Sequence, residues 1–250
     1  QYTLSIRLSA DGFSFSIHPP QKEAEVFFAS YPVNVSYSMT ANLKKMLQAT
    51  EELKYTYGQT NILIDTQRFT PVPFDLFEDE QTEQLFYQNF QRTDNETVLC
   101  NILGKSNIAL IFGMDKHTHQ LINESFPHAR IFACTSPLIE YFTCQSREAN
   151  NRRLYVLFHP NRMEVFALDK GKLLLINSFN SKHTSDHIYY LLYVWQQLGY
   201  SQEKDQLFLT GEVESKDALL AELKRFLRQV EFLPIQSTLP FDIQSLMTCE

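Results

Sequence analysis

The first part of the chain alternates apolar and polar residues with a period of two. Between residues 4 and 8 the apolar side chains fall on one side of an extended strand, and residues 13–17 repeat the pattern. Asp11-Gly12 between them is a strong signal for a two-residue turn. The pattern therefore predicts a β-hairpin, followed by a third strand over residues 24–35.

Beyond residue 40 the apolar period becomes that of a helix. Apolar side chains share one face of a helix predicted over residues 40–57, and Gly58 stands where such a helix ends. Ser38 or Thr40 can act as its N-cap. The apolar run at residues 61–65 is typical of a buried strand. The first part of the chain thus predicts the order βββαβ.

The same order of elements returns after residue 150. The predicted elements are strands over residues 154–158, 162–169 and 172–179, a helix over 185–198 that stops at Gly199, a strand over 206–210, a second helix after Ser215, and a strand over 231–235. Two copies of one element order at similar spacing indicate an internal duplication.

Residues 69–150 separate the two copies and must hold an insertion. Its predicted elements, after Pro71-Val72-Pro73, are a helix over 78–90, paired strands over 97–103 and 107–113, a helix over 115–126 capped by Asp115, a strand over 130–133 and a linking helix over 137–148. The tail after Pro240 is too short to form a domain.

The predicted elements divide the chain into two halves. We predict a first half over residues 1–150, with a subdomain inserted at about 70–130, and a second half over residues 151–250. Each half is expected to contain a five-stranded mixed sheet, and the two sheets are expected to face each other across a cleft.

A duplicated βββαβαβ unit with an insertion in its first copy resembles the actin-like ATPase superfamily, which includes actin, the Hsp70 ATPase domain, sugar kinases, FtsA and PilM. The resemblance is closest to the FtsA/PilM branch, in which a Val-Pro-type segment, here Val72-Pro73, leads into a helix, a β pair, another helix and the closing strand. Residues 4–17, Leu-Ser-Ile-Arg-Leu-Ser-Ala-Asp-Gly-Phe-Ser-Phe-Ser-Ile, are also similar to a bacterial family known as a domain of unknown function. The resemblance implies an α/β (mixed α+β) fold of two ribonuclease-H-like units over the whole chain.

The resemblance places the superfamily's chemistry in two hairpins and one glycine turn. The hairpins read roughly Asp-x-Gly, so that a carboxylate reaches the magnesium ion and glycine amides reach the phosphates. In the first hairpin this chain has Arg7 and Ser9 at those positions, with Asp11 in the turn. The second hairpin has His159 and Asn161.

The glycine turn is also reduced in this chain. The segment Leu209-Thr210-Gly211-Glu212 keeps one glycine, Gly211, and Glu212 would repel a phosphate. An arginine in place of a carboxylate cannot hold magnesium. The resemblance therefore implies the fold but argues against ATPase activity, and no cofactor is expected. The alternative is a divergent nucleotide-binding ATPase or kinase, with ATP and magnesium as cofactors, whose loops use Asp11, Asn161 and Gly211.

Composition narrows the classes of function further. Only 7 of the 250 residues are glycine, against a typical share of ~7%, so loops that wrap phosphates are scarce. The net charge is −7 with no basic run longer than a pair, which argues against nucleic-acid binding. Four cysteines without a Cys-x-x-Cys pair are typical of reduced thiols in a cytoplasmic protein. No apolar run approaches ~18 residues, so we expect no direct membrane insertion.

Two further patterns have alternative interpretations. His183 and His187 have a spacing that zinc sites use on one helical turn, but His183 precedes the expected cap at Thr184 or Ser185, which favours a solvated helix start. The helix predicted over residues 185–198 has tyrosines that make it apolar all round, which favours burial on both faces. Its alternative is a tyrosine-rich partner surface.

The residues as a whole favour a non-catalytic actin-like cytoplasmic protein. We expect it to act as a scaffold or an assembly partner of another protein, and a dimer is compatible with the sequence. A two-metal nuclease on the same unit would need carboxylates on the first and fourth strands. Asp65 fits the second of these positions, but the first strand offers Arg7 and Ser9 instead of a carboxylate.

Overall fold

The computed structural model describes residues 1–20, 25–233 and 239–249 and divides into two compact units. Residues 1–137 together with 242–248 form the first unit, and residues 138–241 form the second. None of the helices in these described ranges is long and apolar enough to cross a bilayer.

The first unit contains a five-stranded sheet and a smaller inserted sheet. Its strands are β1 (Thr3–Ser9), β2 (Gly12–His18), β3 (Phe27–Tyr31), β4 (Gln59–Ile64), β5 (Phe69–Pro73), β6 (Glu96–Leu103), β7 (Ile108–Asp115) and β8 (Arg130–Ala133), and its helices are α1 (Met39–Ala49), α2 (Thr82–Tyr87) and α3 (Lys116–Ser125). The main sheet has the order β3-β2-β1-β4-β8. β4 pairs in parallel with β1 and β8, and β2 pairs antiparallel with β1 and β3.

The second unit repeats this topology. The chain continues with α4 (Thr135–Ser146), β9 (Arg153–His159), β10 (Arg162–Asp169), β11 (Lys172–Asn180), α5 (Thr184–Gln197), β12 (Gln206–Gly211), α6 (Lys216–Leu223) and β13 (Gln229–Phe232). The last helix, α7 (Phe241–Cys249), then belongs mainly to the first unit. Its sheet order, β11-β10-β9-β12-β13, matches that of the first sheet strand for strand. The predicted fold class, an α/β fold of two like units with an insertion in the first, is confirmed.

Local sequence explains why several elements begin and turn where they do. Lys170 and Gly171 both have positive φ, 49° and 82°, as the tight turn between β10 and β11 requires. The Asp115 side chain caps α3 by accepting the Thr118 N–H at 2.7 Å. Gly199, with φ 63°, follows α5 in the left-handed conformation of a helix end.

The inserted sheet has one strand more than the sequence predicted. β5 pairs antiparallel with β7, which also pairs with β6, in the order β5-β7-β6. Pro71 and Pro73 hide this strand in the sequence, because a proline cannot donate to a ladder. The edge position of β5 makes them acceptable, since only one side of the strand is paired.

Some predicted elements have different bounds. Where one helix was predicted over residues 40–57, α1 ends before Thr50, whose extended backbone breaks the helix, and a 3₁₀ turn follows at Glu51–Lys54. The helix predicted over 78–90 is the shorter α2, preceded by a 3₁₀ turn at Asp79–Gln81. Ser9 pairs with Gly12, so the turn of the first hairpin lies at residues 10 and 11, one residue earlier than predicted.

Two other predicted strands have bounds that differ from those of the structure. The predicted third strand over residues 24–35 is β3, and residue 24 lies outside the described residues. The last strand begins at Gln229 rather than residue 231, and residues 234–235 also lie outside the described residues.

α7 is a helix that the sequence did not predict. Its Ile243 and Leu246 pack against Leu63 and Cys134 in a buried cluster of the first unit. Because the helix has only nine residues, its apolar period is too short to recognise in the sequence. The C-terminal segment therefore completes the first unit instead of extending the second.

α5 has one buried face and one exposed face. Leu191, Val194 and Trp195 lie in the core of the second unit. Tyr189 and Tyr193 are 64% and 50% exposed. The prediction that this helix is buried on both faces is therefore wrong, because tyrosine is amphipathic and tolerates solvent.

Candidate functional site

Arg7, the residue that replaces the expected metal-binding carboxylate, is held by two carboxylates. Its Nε donates to Asp242 Oδ2 at 2.7 Å, and its Nη2 lies 3.6 Å from Asp65 Oδ2. Arg7 lies on β1, Asp65 directly follows β4, and Asp242 lies in the first turn of α7. Three segments that are distant in the sequence thus meet at the first hairpin.

This cluster is largely removed from solvent. The side chains of Arg7, Asp65 and Asp242 are only 15%, 5% and 3% exposed. Burial opposes the charge of Arg7, but attraction to Asp242 and Asp65 outweighs it and holds the pKa of Arg7 above its ordinary value. Burial also raises the pKa of the Cys134 thiol well above its ordinary value, and the neighbouring Asp242 carboxylate raises it further. Both effects favour the protonated thiol of Cys134 over the thiolate.

Ser9 and Asp11 complete the first hairpin in different ways. The buried Ser9 hydroxyl donates to Asp65 Oδ2 at 2.8 Å and accepts the Asp11 N–H at 3.3 Å. The Asp11 side chain is exposed in the turn. The candidate residues Arg7 and Ser9 are thus brought together on Asp65, whereas the Asp11 carboxylate stays outside the cluster.

The second hairpin has a similar internal charge cluster. Glu164, which is almost fully buried, lies 3.6 Å from His159 Nε2 and 3.3 Å from Arg162 Nη2. Asn161 is exposed, and its backbone carbonyl accepts the Ser181 N–H at 3.1 Å. Sequence reasoning found His159 and Asn161 but missed Glu164, whose position on a strand with buried neighbours on both sides gave no sign of a charged partner.

Gly211 has a structural reason to be glycine. Its φ is +95°, and a Cβ atom there would lie 2.3 Å from the Phe158 carbonyl oxygen. It pairs with Phe158 where β12 runs beside β9. This close approach of two backbones requires glycine, so its retention at this turn needs no phosphate.

A groove of about 370 Å³ in the second unit is lined by several residues that the sequence analysis singled out, among them His159 and Glu212. The charged and titratable side chains that line it are His159, Lys182, His183, His187, Glu212 and Glu214. Both signs of charge are present, so the groove does not form the one-sided positive field that attracts phosphates.

His183 at the N-cap of α5 and His187 in its first turn lie in different environments. His183 is exposed at the N-cap, one residue before the predicted cap, and its N–H donates to Asp186 Oδ2 at 3.2 Å. His187 is 5% exposed and packs against Phe158 with ring centroids 4.8 Å apart. The predicted solvated helix start is correct for His183 only. Within the described ranges, no group of three or more metal-binding side chains could hold a metal ion.

The sequence matches a known protein family over most of its length. Residues 1–230 match the family described as protein of unknown function DUF3822. The chain belongs to this family. A search of the curated proteins returned no match. The resemblance to a bacterial family of unknown function is confirmed.

Solved structures agree on the fold. A Bacteroides thetaiotaomicron protein with actin-like ATPase fold and unknown function is 46% identical, with a TM-score of 0.92, over 100% of this chain and 96% of that one. The cytoplasmic domain of EpsL, an inner membrane component of the type II secretion system of Vibrio cholerae, is 10% identical with a TM-score of 0.56 over 100% and 96% of the two chains. A chain of the PilM–PilN type IV pilus biogenesis complex is 11% identical with a TM-score of 0.57 over 92% and 88%. The actin-like ATPase fold of this DUF3822 member is thereby established.

The ion-pair cluster predicts a large difference between two arginine variants. Arg7→Met leaves the buried Asp65 and Asp242 carboxylates without a cation, and we expect the free energy of unfolding to fall by about 3–5 kcal/mol. Arg225→Met removes an exposed pair with Glu222 and is expected to cost at most about 1 kcal/mol. Urea denaturation measures both. An equal loss of unfolding free energy in the two variants would contradict the buried ion pairing of Arg7.

The stability of the protein is expected to depend strongly on the glycine at position 211, where β12 ends. Gly211→Ala introduces a backbone clash in a left-handed conformation, and we expect a loss of about 2–4 kcal/mol of stability. Gly104→Ala is the matched control, because a Cβ atom there meets nothing within 4 Å. Urea denaturation measures the stability of both variants. A Gly211 variant as stable as the Gly104 variant would show that the close approach of the Gly211 and Phe158 backbones is not rigid.

The buried His187 predicts a loss of stability in acid. Burial lowers the pKa of His187 below its ordinary 6.5, with Asp186 opposing this shift and His183 adding to it. The folded state therefore binds the proton less readily than the unfolded state, so this contribution to stability is present above pH 6.5 and is lost as the pH falls through the lowered pKa.

The measurement is urea denaturation between pH 8 and pH 5 for His187→Leu and, as control, for the exposed His117→Leu. We expect the His187 variant to lose part of the pH dependence and the His117 variant to keep it. An unchanged pH profile in His187→Leu would refute the neutral, buried state.

Proposed function

We propose that this DUF3822 protein is a non-catalytic member of the actin-like ATPase superfamily that acts as a cytoplasmic scaffold or assembly partner of another protein. The observation that carries the proposal is the guanidinium of Arg7 paired with Asp242 and Asp65. A permanent cation occupies the place where the superfamily's pattern has a carboxylate for magnesium.

Electrostatics opposes a metal ion at this place. Arginine keeps its proton at any pH at which proteins fold, and a divalent cation beside it would be repelled. The two nearby carboxylates, Asp65 and Asp242, already neutralise Arg7. Binding magnesium through them would leave the guanidinium buried without a partner, which is strongly destabilising.

The second hairpin and the glycine turn support the same conclusion. Glu164 is paired with Arg162 and lies beside His159 within its own hairpin. Gly211 is required by the packing of β12 on β9, and the exposed Glu212 would repel a phosphate at the same turn. Each position at which the superfamily binds nucleotide therefore has another role or an opposing charge.

An assembly role agrees with what this fold does elsewhere. Among the structures of like fold are a chain of a type IV pilus biogenesis complex and a component of a type II secretion system. Their identity to this chain is too low to transfer a partner. They support only the point that the fold is used in protein assemblies.

A second candidate function is divergent nucleotide binding. The groove of about 370 Å³ in the second unit favours it, because Lys182 lies there beside the second hairpin. An ammonium group of this kind can bind a phosphate as a point charge. The two candidates differ in a single measurable property, magnesium-dependent binding of ATP.

We expect no rise in melting temperature with millimolar magnesium-ATP. A functional site with micromolar affinity would add about 2.7 kcal/mol at a hundredfold excess of ligand, which for a chain of this size corresponds to about 5–10 °C. Differential scanning calorimetry measures the shift. Fluorescence of Trp195, the single tryptophan, reports the second unit separately, since it lies in the core of that unit.

Two controls separate weak anion binding from a nucleotide site. Sodium sulfate at the same ionic strength shows any effect of an anion alone, and EDTA removes the magnesium. A rise of about 5 °C that disappears with EDTA would establish the divergent nucleotide-binding function instead. Under the proposed function, a protein partner co-purifies with the tagged chain from its own cells with or without added nucleotide.

A further inference from the structure

The groove in the second unit has a buried polar side chain in its wall that makes no hydrogen bond. His187 is 5% exposed, and it lines the groove of about 370 Å³. Among the described residues, neither of its ring nitrogens has a hydrogen-bond partner. Buried polar side chains in folded proteins nearly always have one. An open ring nitrogen beside a groove therefore points to a partner from outside the chain.

The ring of His187 offers this partner an acceptor. Burial lowers the pKa of His187, so its ring is neutral near pH 7 and has one donor nitrogen and one acceptor nitrogen. The Ser181 backbone favours the protonated ring and raises this pKa, as a carbonyl beside the donor nitrogen does. It can serve only one of the two nitrogens. The acceptor nitrogen is left for an N–H group of a ligand.

The exposed rim of the groove has more negative than positive charge. Glu212 and Glu214 line it and are both exposed, and neither carboxylate is held in an ion pair with a described residue. Lys182 is the only lysine or arginine among the described lining residues. Two carboxylates against one ammonium group favour a ligand with a net positive charge.

The N-terminus of α5 offers no free site for an anion. Asp186 Oδ2 accepts the backbone N–H of His183 at 3.2 Å and that of Lys182 at 3.4 Å. A carboxylate of the chain itself therefore occupies the positive end of the helix, where an anion would otherwise bind. A ligand that is only an anion, such as phosphate, would be repelled by this carboxylate and by Glu212 and Glu214.

We propose that this groove binds a basic amino acid, whose cationic groups face His187 and the two glutamates and whose carboxylate faces Lys182. Such a molecule carries two positive groups and one negative group, the reverse of the charges on the groove. Its cationic N–H groups can donate to a neutral imidazole nitrogen and pair with carboxylates. The groove volume of about 370 Å³ is at the lower end of the range for small-molecule sites, which suits an amino acid. The inference goes beyond the proposed function and uses no nucleotide in its test.

Titration of the whole chain with L-arginine, followed by the amide resonances in NMR, tests the site. We expect shifts at the amides of His183, His187 and Val213 that saturate with a Kd below about 1 mM. L-Glutamate and inorganic phosphate are expected to leave these amides unshifted. The absence of groove shifts at about 10 mM L-arginine, well above this Kd, overturns the proposal. Tighter binding of phosphate at the same amides also overturns it.

The two glutamates allow a charge test with a matched control. Glu212→Gln and Glu214→Gln each remove one carboxylate from the rim, and each is expected to raise the Kd for L-arginine by about fivefold. Glu231→Gln removes an exposed carboxylate of β13 that does not line the groove and is expected to leave the Kd unchanged. The same Kd in all three variants would overturn the proposal.

His187→Phe tests the acceptor nitrogen. The variant keeps a ring that can pack on Phe158 but has no nitrogen, and we expect the Kd for L-arginine to rise by about tenfold. His117→Phe, at an exposed position outside the groove, is the control. Amide resonances away from the groove show whether each variant is folded, and the glutamate variants keep the test valid if His187→Phe is not. A folded His187→Phe variant with unchanged affinity would overturn the proposal.

Agmatine, which is arginine without its carboxylate, tests the part assigned to Lys182. Lys182→Met is expected to raise the Kd for L-arginine by about threefold, because the carboxylate of the ligand loses its partner. The same variant is expected to leave the affinity for agmatine unchanged or to increase it, since a cation has been removed from the rim. A variant that weakens both ligands equally would show that the carboxylate is not recognised, and a basic amino acid would not be the ligand.

Discussion

The buried charge of Arg7 is the constraint on which the first unit depends. A guanidinium keeps its proton, so it can be buried only beside carboxylates. Asp65 and Asp242 supply them, one from the segment after β4 and one from α7. Strand, loop and C-terminal helix are therefore required at the same place, and the apolar packing of Ile243 and Leu246 on Leu63 holds the helix there.

The same constraint accounts for the chemistry of both hairpins. In the first, Arg7 is paired with Asp65 and Asp242, and in the second, the buried Glu164 is paired with Arg162 and lies beside His159. In both hairpins a buried charge is thus already paired with a side chain of the protein itself. An incoming triphosphate with its metal would have to replace existing ion pairs, and the cost of leaving a buried charge unpaired exceeds the gain from one new contact. These ion pairs are the physical reason for proposing that the actin-like fold of this protein does not bind nucleotide.

The second unit presents a different kind of surface. Its α5 buries Leu191 and Trp195 in the core and exposes Tyr189 and Tyr193. Tyrosine contributes a large contact area at a low cost in side-chain entropy, which is why it is common at interfaces. These tyrosines lie on the helix next to β11, because Phe179 of that strand stacks on Tyr190.

The sequence alone determined the architecture and the positions of the central strands. Periods of two and of 3.6 residues, together with signals such as Gly199 and Ser215, depend on neighbours in the chain, so they predicted both five-stranded sheets and the helices between them. It could not reveal β5, whose prolines are typical of loops, or α7, which is too short to show a period. It identified Arg7, Ser9, His159 and Asn161 as departures from the superfamily's pattern.

Only the tertiary structure decided what those departures do. Arg7 and Asp242 are 235 residues apart, and no local pattern connects them. The same arginine on the same strand could have faced solvent and remained free to bind an anion. Its partners are fixed by where the sheet and α7 bring distant carboxylates together, because ion pairing depends on distance in space and burial rather than on spacing in the chain.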